Sequence, residues 1–219
     1  MGGSAAELLA VIRVEADVLA EANPFVAAVR EGRAPLVAVA ALAAEERVII
    51  PSDRRAFLLL AARSEEPAAV AFFTGLAQGE SLVQPLVEPL AAAAGMGPDA
   101  LASYEPRAGC QAYASHVSWL AQNADPAAVA LALVSNFAAW GEYCAGVAAG
   151  LRERYGFDDS ACAFLDFFAT PVTEPQELAV AAAQAALDEG RPLAGAGRHA
   201  RLLHDYETMF WHTLAAIPA

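Results

Sequence analysis

The sequence predicts an all-α protein. Apolar residues recur at the three- to four-residue spacing of amphipathic helices, alanine is abundant, and alternating β-branched runs are almost absent. With 219 residues, 57% of them hydrophobic and 18% charged, the chain is long enough for one sizeable core. We therefore expect a single domain over 1–219, built from seven to eight or more helices.

Proline sets the expected helix boundaries in the first part of the chain. The first predicted helix spans about 4–21 and is broken at 23–25. The second begins after Pro35, which suits a first helical turn, and ends before Pro51. A third covers about 52–63.

The rest of the chain continues the helical pattern. Pro85 and Pro89 predict a bend in the helix that contains them. The segment 188–197 resembles a linker but is too short to separate domains. The predicted helices span about 67–77, 80–94, 107–122, 126–151, 159–169, 174–188 and 197–216.

Charge and composition narrow the possible partners. The formal net charge of −13 repels nucleic-acid phosphates and anionic lipid, so we expect a small-molecule partner, with no nucleic acid and no membrane. All 13 basic residues are arginine. The absence of lysine excludes Schiff-base chemistry and the phosphate-binding lysine of a P-loop.

Cysteine usage and the absence of targeting patterns indicate a cytoplasmic protein. Cys110, Cys144 and Cys162 are widely spaced and odd in number, so we expect reduced core cysteines rather than a disulfide framework. The sequence shows no signal peptide at its start and no run of about eighteen apolar residues that would span a bilayer.

Three glutamates fall on or near the apolar faces of predicted helices. Glu207 lies near the centre of the stripe of the last helix, Glu46 lies within that of the second, and Glu80 lies near the edge of another. Because a buried carboxylate needs a partner or a function, these residues are candidates for a site. A solvated pair of Glu45 and Glu46 is the alternative for the second helix.

Other polar and aromatic side chains share these apolar faces. Tyr113 and His116 lie on one face of a helix, and Asn136 and Trp140 lie in phase with the apolar residues of the longest helix. Taken alone, His116 is more typical of a satisfied core or rim histidine than of a site residue. Trp140 and Phe168 are core aromatics unless a pocket adjoins them.

Two segments resemble the TenA/thiaminase II-like group of the heme-oxygenase-like superfamily. "NPFVAAVREGRAP" (23–35) is similar to the group's H-P-F-x-x-x-x-x-x-G opening, and "YETMFWHTL" (206–214) is similar to its closing E-x-x-F-W. The resemblance implies a heme-oxygenase-like (TenA-like) helical bundle. It further implies that Glu207 is the catalytic glutamate, that Glu46 occupies the position of a pyrimidine-binding aspartate, and that Tyr113 lines the pocket.

The cysteine that acts as the nucleophile in the thiaminase group has no counterpart in this chain. Asn136 stands in the position of the cysteine and Trp140 in that of a tyrosine, while Ile49 and Asp53 replace an aromatic pair. An asparagine cannot form the covalent intermediate of a thiolate, so thiaminase activity is not expected.

Two further segments resemble the di-iron oxidase and oxygenase branch of the same superfamily. They are "GESLVQPLVEPLAAAAGM" (79–96) and "RYGFDDSACAFLDFFATPVTEPQE" (154–177). Glu80 keeps the first carboxylate of that pattern, but apolar side chains replace the other donors, so neither a metal nor another cofactor is expected. The replacing residues are Val87, Phe168, Val172 and Pro175.

These observations favour a metal-independent enzyme acting on a small, largely apolar molecule in specialised metabolism. The reaction would be a cyclisation, isomerisation, elimination or hydrolysis, with Glu207 as general acid/base and Glu46 as the second catalytic residue. Two alternatives stay open: a metal enzyme with a site rearranged around Glu46, Glu80, Glu207 and His116, and a non-catalytic binding protein. The resemblance implies a homo-oligomer, either a dimer or a tetramer. The expected substrate-binding residues are Tyr113, His116, Asn136, Trp140, Phe168 and Glu80.

Overall fold

The fold comes from a computed structural model that describes residues 3–19, 22–171 and 173–219, without the side chains of 16–19. Over these residues the chain forms eleven α-helices and no strand, which confirms the all-α prediction. A 3-10 turn (Gln84–Leu86) joins α4 to α5, and a π-helical turn (Leu151–Tyr155) extends α8. The helices are α1 Ala5–Leu19, α2 Pro24–Arg30, α3 Leu36–Arg63, α4 Pro67–Val83, α5 Val87–Ala93, α6 Pro98–Ala102, α7 Ala108–Asn123, α8 Pro126–Gly150, α9 Asp159–Ala169, α10 Glu174–Asp188 and α11 Ala196–Ala215.

The predicted break at 23–25 is the start of the short helix α2. The side-chain Oδ1 of Asn23 accepts hydrogen bonds from the backbone N–H groups of Phe25 and Val26, both at 3.1 Å. Pro24 occupies the first turn, where backbone N–H groups have no acceptor within the helix, so the lack of an N–H costs no hydrogen bond. An asparagine cap and a following proline therefore begin a helix here.

The predicted helix end before Pro51 is wrong, because α3 continues through this proline to Arg63. Proline inside a helix removes one backbone hydrogen bond and disfavours the helix by about 3 kcal/mol. Leu42 and Ile50 on one side of it and Leu60 on the other are almost fully buried. Burying this long apolar face outweighs the local effect of the proline.

The predicted division between 67–77 and 80–94 lies too early in the chain. Helix α4 runs through Gly79 to Val83, because a helical glycine is disfavoured by only about 1 kcal/mol. The chain departs from regular helix at Gln84–Leu86, which contains Pro85. The predicted bend is therefore confirmed at Pro85, and Pro89 lies in the first turn of α5.

The core consists of two clusters of buried side chains, and α3 and α8 contribute to both. Phe25, Phe164 and Trp211 belong to one cluster, and Phe72 and Phe73 to the other. All three cysteines are buried and free, as the sequence predicts. The elements that carry the candidate site residues meet in the first cluster or at its border with the second.

Helix α8 and its π-helical extension, Pro126–Tyr155, form one stretch that is long and apolar enough to cross a membrane by length and composition alone. The sequence-based expectation had excluded such a stretch. Of its apolar window, 56% is buried inside the protein, which is also the property of a core helix in a soluble protein.

Candidate functional site

Glu207 lies on the inner face of α11 and is only 4% exposed. Its Oε1 accepts a hydrogen bond from Nε1 of Trp211, one turn later on the same helix, at 3.1 Å. Its Oε2 accepts a second hydrogen bond from Nδ2 of Asn136 on α8. Burial raises the pKa of Glu207 to about 7, although both donors act to lower it. This carboxyl can therefore hold or release a proton near neutral pH.

Aromatic side chains form an apolar wall beside this glutamate. The Trp140 ring centroid lies 5.2 Å from that of Trp211 and 5.8 Å from that of Phe168. Phe210 packs against Trp140 with a centroid separation of 6.2 Å. Of the residues predicted from the sequence, Asn136 thus contacts Glu207, Trp140 contacts its donor Trp211, and Phe168 packs on the far side of Trp140.

Glu45 and Glu46 are both buried, so they do not form the solvated pair that the sequence left open. Glu45 accepts hydrogen bonds from the Tyr104 hydroxyl at 2.7 Å, the Arg107 backbone N–H at 2.8 Å and Gln111 Nε2 at 2.6 Å. These three donors identify Glu45 as a structural carboxylate that ties α3 to the start of α7. Glu46 is the neighbour that faces the site.

The carboxyl of Glu46 interacts with that of Glu207 across the site. Burial is the largest cause that raises the pKa of Glu46 to about 8, and the charges of Asp53, Glu45 and Glu207 contribute to this value in that order. The contribution of the Glu207 charge indicates that the two carboxyls lie near each other. Two residues that the sequence assigned to catalysis therefore share one buried region.

Asp53 and Glu80 add two further carboxyls to this region. Asp53 lies on α3, two turns after Glu46, and is 5% exposed. Burial raises the pKa of Asp53 to about 7, and that of Glu80 to about 9, the latter with additional repulsion from Asp53 and Glu46. A hydrogen bond from Arg54 Nε to Ser81 Oγ, 2.9 Å long, joins α3 and α4 beside them.

Tyr113 on α7 completes the cluster. Burial raises the pKa of its hydroxyl well above the usual value, and the charges of Asp53, Glu207, Glu80 and Glu46 raise it further. The phenol therefore stays protonated and remains a hydrogen-bond donor. The structure thus brings Tyr113 together with all three glutamates that the sequence had singled out on separate helices.

His116 lies apart from these carboxyls. Its ring stacks on Trp119 at 5.8 Å and tilts against Tyr206 at 5.2 Å between centroids. Burial lowers its pKa, and no carboxyl of the described part of the chain contributes to that change. Its sequence-based assignment to substrate binding has no support from this placement and stays a prediction.

A small pocket reaches Glu207 from the protein surface. Asn23 contributes to it, and its Nδ2 is buried without a hydrogen-bond partner among the described residues, while its Oδ1 caps α2. Sequence reasoning overlooked Asn23, Tyr143 and His204 as pocket residues. The available indication was that Asn23 replaces the histidine of the H-P-F opening. The lining residues are Ala22, Asn23, Pro24, Tyr143, His204, Glu207, Thr208, Trp211 and His212.

Asp53 is the main site residue that sequence reasoning missed. It was treated only as a departure from an aromatic position. Its spacing of seven residues from Glu46 places both side chains on one face of a continuous helix, which was a usable indication. The mistaken helix end before Pro51 separated the two residues and hid this relation.

Cys144 does not replace the missing nucleophile. It is buried, and its pKa is raised well above the usual value by burial and by the charges of Glu46 and Glu207. A thiol in this environment stays protonated and is a poor nucleophile. Covalent catalysis by cysteine is therefore not supported at this site.

The positions that hold iron in the di-iron branch do not fit a metal in this chain. Val87 is fully buried and apolar, and Phe168 packs against Trp140. Pro175 offers no side-chain donor, and Val172 lies outside the described residues. Within the described ranges no group of three or more histidine, cysteine, aspartate or glutamate side chains has an arrangement that could hold a metal ion.

Comparisons with known proteins agree with this geometry at the level of the fold. The model of the TENA/THI-4/PQQC family matches residues 19–216. A TenA family transcription regulator from Silicibacter sp. TM1040 superposes with a TM-score of 0.66 at 18% identity, covering 98% of both chains. A domain of unknown function with a heme oxygenase-like fold from Shewanella denitrificans OS217 gives a TM-score of 0.62 at 15% identity, covering 92% of this chain and 91% of its own. No curated protein sequence matches the chain.

Proposed function

The chain belongs to the TENA/THI-4/PQQC family, and from that premise we propose that it is a metal-independent enzyme acting on a small, largely apolar molecule in specialised metabolism. The observation that carries this proposal is Glu207, a buried carboxyl with a pKa of about 7 beside an aromatic wall. A group whose pKa lies near the working pH is suited to general acid/base catalysis. The test is the Glu207→Gln variant, whose turnover and stability are measured together.

In the proposed mechanism, Glu207 transfers a proton to or from the substrate. The Trp211 and Asn136 donors fix the carboxyl and stabilise its ionised form, so that it can act as a base and be regenerated. The protonated hydroxyl of Tyr113 can donate a hydrogen bond to a substrate oxygen or nitrogen. Trp140 and Phe168 contact the apolar part of the substrate. Proton transfer by one residue and hydrogen-bond donation by another are compatible with a cyclisation, isomerisation, elimination or hydrolysis.

The transcription regulator named among the similar structures does not change this proposal. A structural similarity at 18% sequence identity supports a shared fold but not a shared function. The net charge of −13 opposes the phosphate contacts on which DNA binding depends. We propose a cytoplasmic enzyme that forms a dimer or tetramer. Light scattering coupled to size-exclusion chromatography tests the assembly, and a monomer would contradict it.

We expect the purified protein to contain no stoichiometric transition metal. The expectation rests on apolar side chains at Val87 and Phe168, where ligands would be needed. Elemental analysis of protein produced in iron-supplemented medium provides the measurement. One or two irons per chain would instead support the rearranged metal site around Glu46, Glu80, Glu207 and His116.

We expect no cleavage of thiamin and no hydrolysis of aminopyrimidines. Asn136 donates to Glu207 rather than attacking the substrate, and the thiol of Cys144 is protonated. Restoring cysteine through Asn136→Cys should not produce activity, because Trp140 replaces the partner tyrosine as well. Product above the level of a boiled control, from wild type or variant, would contradict this expectation.

A further inference from the structure

Asn23 provides an unused hydrogen-bond donor in the small pocket that reaches Glu207. Its Oδ1 accepts hydrogen bonds from the backbone N–H groups of Phe25 and Val26, both at 3.1 Å. These two donors require an oxygen at that position, so the other terminal atom of the amide is the NH₂ group. This Nδ2 is buried and has no hydrogen-bond partner among the described residues. A buried donor without an acceptor destabilises a protein, so a bound acceptor at this point would satisfy it.

Close packing fixes the position of Asn23 relative to α8 and α11. Phe25, two residues later, stacks on Trp211 of α11 with 5.9 Å between the ring centroids. Gly146 of α8 allows α2 to approach closely, because a Cβ atom at this position would lie 2.9 Å from Cγ1 of Val26. The side chain of Asn23 is therefore held both by the cap that it forms and by the packing of the helix that it begins. A preorganised donor loses little conformational freedom when it binds a ligand.

Other donors line the same pocket beside a carboxyl group. The hydroxyls of Tyr143 and Thr208 and the carboxyl of Glu207 all contribute to the lining. Burial raises the pKa of Tyr143, and the charges of Glu207 and Glu142 contribute, so its hydroxyl stays protonated and can donate a hydrogen bond. The pocket thus offers hydrogen-bond donors next to the carboxyl that the proposed mechanism uses.

The lining of the pocket fits an uncharged oxygen acceptor. An ammonium group has only donors, so it cannot satisfy Nδ2 of Asn23. A carboxylate can accept, but the ionised form of Glu207 repels an anion, and the formal net charge of −13 adds to this repulsion. His204 and His212 also line the pocket, and a charged imidazole would favour an anion instead, which the experiment below distinguishes. A carbonyl oxygen has two lone pairs and no charge, so it matches the donors without this repulsion.

We propose that Asn23 binds an uncharged carbonyl oxygen of the substrate and thereby determines the substrate class, a small apolar molecule with a ketone, ester or amide group. This inference rests on the proposed function, because it names the chemical class on which the same site acts. A carbonyl held by Nδ2 lies in the pocket that Glu207, the proposed acid/base, also lines. Trp211 lines the pocket as well and lies 5.2 Å from Trp140 between ring centroids, so it provides an apolar contact for the rest of the molecule.

The variant Asn23→Asp separates ligand binding from helix capping. Aspartate caps a helix about as well as asparagine, so the hydrogen bonds to Phe25 and Val26 are retained. The second carboxylate oxygen has the size of the NH₂ group but accepts hydrogen bonds instead of donating them. Asn123→Asp is the matched control, because Asn123 is exposed and donates only to the backbone of its own helix, at Trp119 O, 2.7 Å away.

Isothermal titration calorimetry at pH 8 with 4-phenylbutan-2-one, and with 3-phenylpropanoate as its anionic counterpart, tests the proposal. We expect the ketone to bind at least about fivefold more tightly than the carboxylate, because Glu207 is ionised at this pH. Asn23→Asp should weaken ketone binding at least about threefold, whereas Asn123→Asp should not. Infrared spectra of the bound ketone, labelled with ¹³C at the carbonyl, should show a lower C=O stretching frequency in wild type than in Asn23→Asp.

Four outcomes would overturn the proposal. They are absence of ketone binding at millimolar concentration, tighter binding of 3-phenylpropanoate than of the ketone, an unchanged ketone affinity in Asn23→Asp, and the same C=O stretching frequency in wild type and variant. If Asn23→Asp fails to fold, Asn23→Ser provides the same comparison, because serine also caps a helix but has no amide donor. Because binding is measured without turnover, its failure leaves the role of Glu207 intact, and failure of the Glu207 test leaves the binding result standing.

Discussion

Glu207→Gln is expected to abolish turnover while leaving the fold intact. The amide keeps the shape of the side chain and can still accept the hydrogen bond from Trp211, but it cannot exchange a proton. Loss of a general acid/base typically lowers the rate by about 10²- to 10⁴-fold. Asn136 can rotate its amide to accept from the new side chain, so we expect little change in melting temperature.

The measurement requires a substrate, which a thermal-shift screen of small apolar molecules, with and without a carbonyl group, can supply. Activity and melting temperature are then compared between wild type, Glu207→Gln and the exposed control Glu142→Gln. A purely structural glutamate would give the reverse pattern. Full activity with a loss of about 1–3 kcal/mol in the free energy of unfolding would assign Glu207 to the core rather than to catalysis.

The protein is expected to be more stable at mildly acidic than at alkaline pH. Burial raises the pKa of Asp53 from 3.8 to about 7 and that of Glu207 from 4.5 to about 7. The pKa of Glu46 rises from 4.5 to about 8 and that of Glu80 from 4.5 to about 9. Each folded-state pKa lies above the unfolded value, so the native state retains protons that the unfolded chain has released. Stability therefore falls as pH rises through these windows.

The loss of stability is steepest between about pH 4.5 and 7, where all four carboxyls contribute. It continues to about pH 9 because of Glu46 and Glu80. The slope is proportional to the difference between the numbers of protons bound by the folded and unfolded states. Urea unfolding at several pH values measures the slope. A free energy of unfolding that stays level or rises from pH 5 to pH 9 would contradict the prediction.

Asp53→Asn provides the matched variant for this pH dependence. The substitution replaces a titrating carboxyl with an amide of nearly the same size. The slope of the free energy of unfolding against pH should therefore decrease by roughly one proton between about pH 4 and 7. The free energy of unfolding of the variant, relative to that of the wild type, should increase as pH rises, by about 2–4 kcal/mol at pH 8. Glu142→Gln, which changes an exposed carboxyl, should follow the wild-type curve.

Local sequence patterns located most of the helices correctly. Capping residues and prolines act over a few residues, so the start of α8 after Asp125 and the bend at Pro85 follow from local chemistry. Pro51 shows the limit of such reasoning. Its effect on the helix is local, but the buried apolar side chains that outweigh it come from packing against other helices.

Within the candidate site, helix phase identified the residues that point inward. Glu207 and Glu46 were found in this way, and both are buried. His116 had the same apparent phase but stacks on Trp119 and Tyr206. Helix phase gives the direction of a side chain from its own axis, whereas the packing of neighbouring helices determines what it meets there.

Sequence alone determined the all-α class, the acidic charge, the absence of lysine and the absence of the thiaminase nucleophile, because each is a property of residue identity or of short spacing. Only the tertiary structure decided that Glu46, Asp53, Glu80 and Glu207 lie together and that Glu45 is satisfied by Tyr104 and Gln111. These relations join α3, α4, α7 and α11. Burial raises the pKa values of all four carboxyls, and repulsion contributes for Glu46 and Glu80; both effects arise only when the helices pack and exclude water.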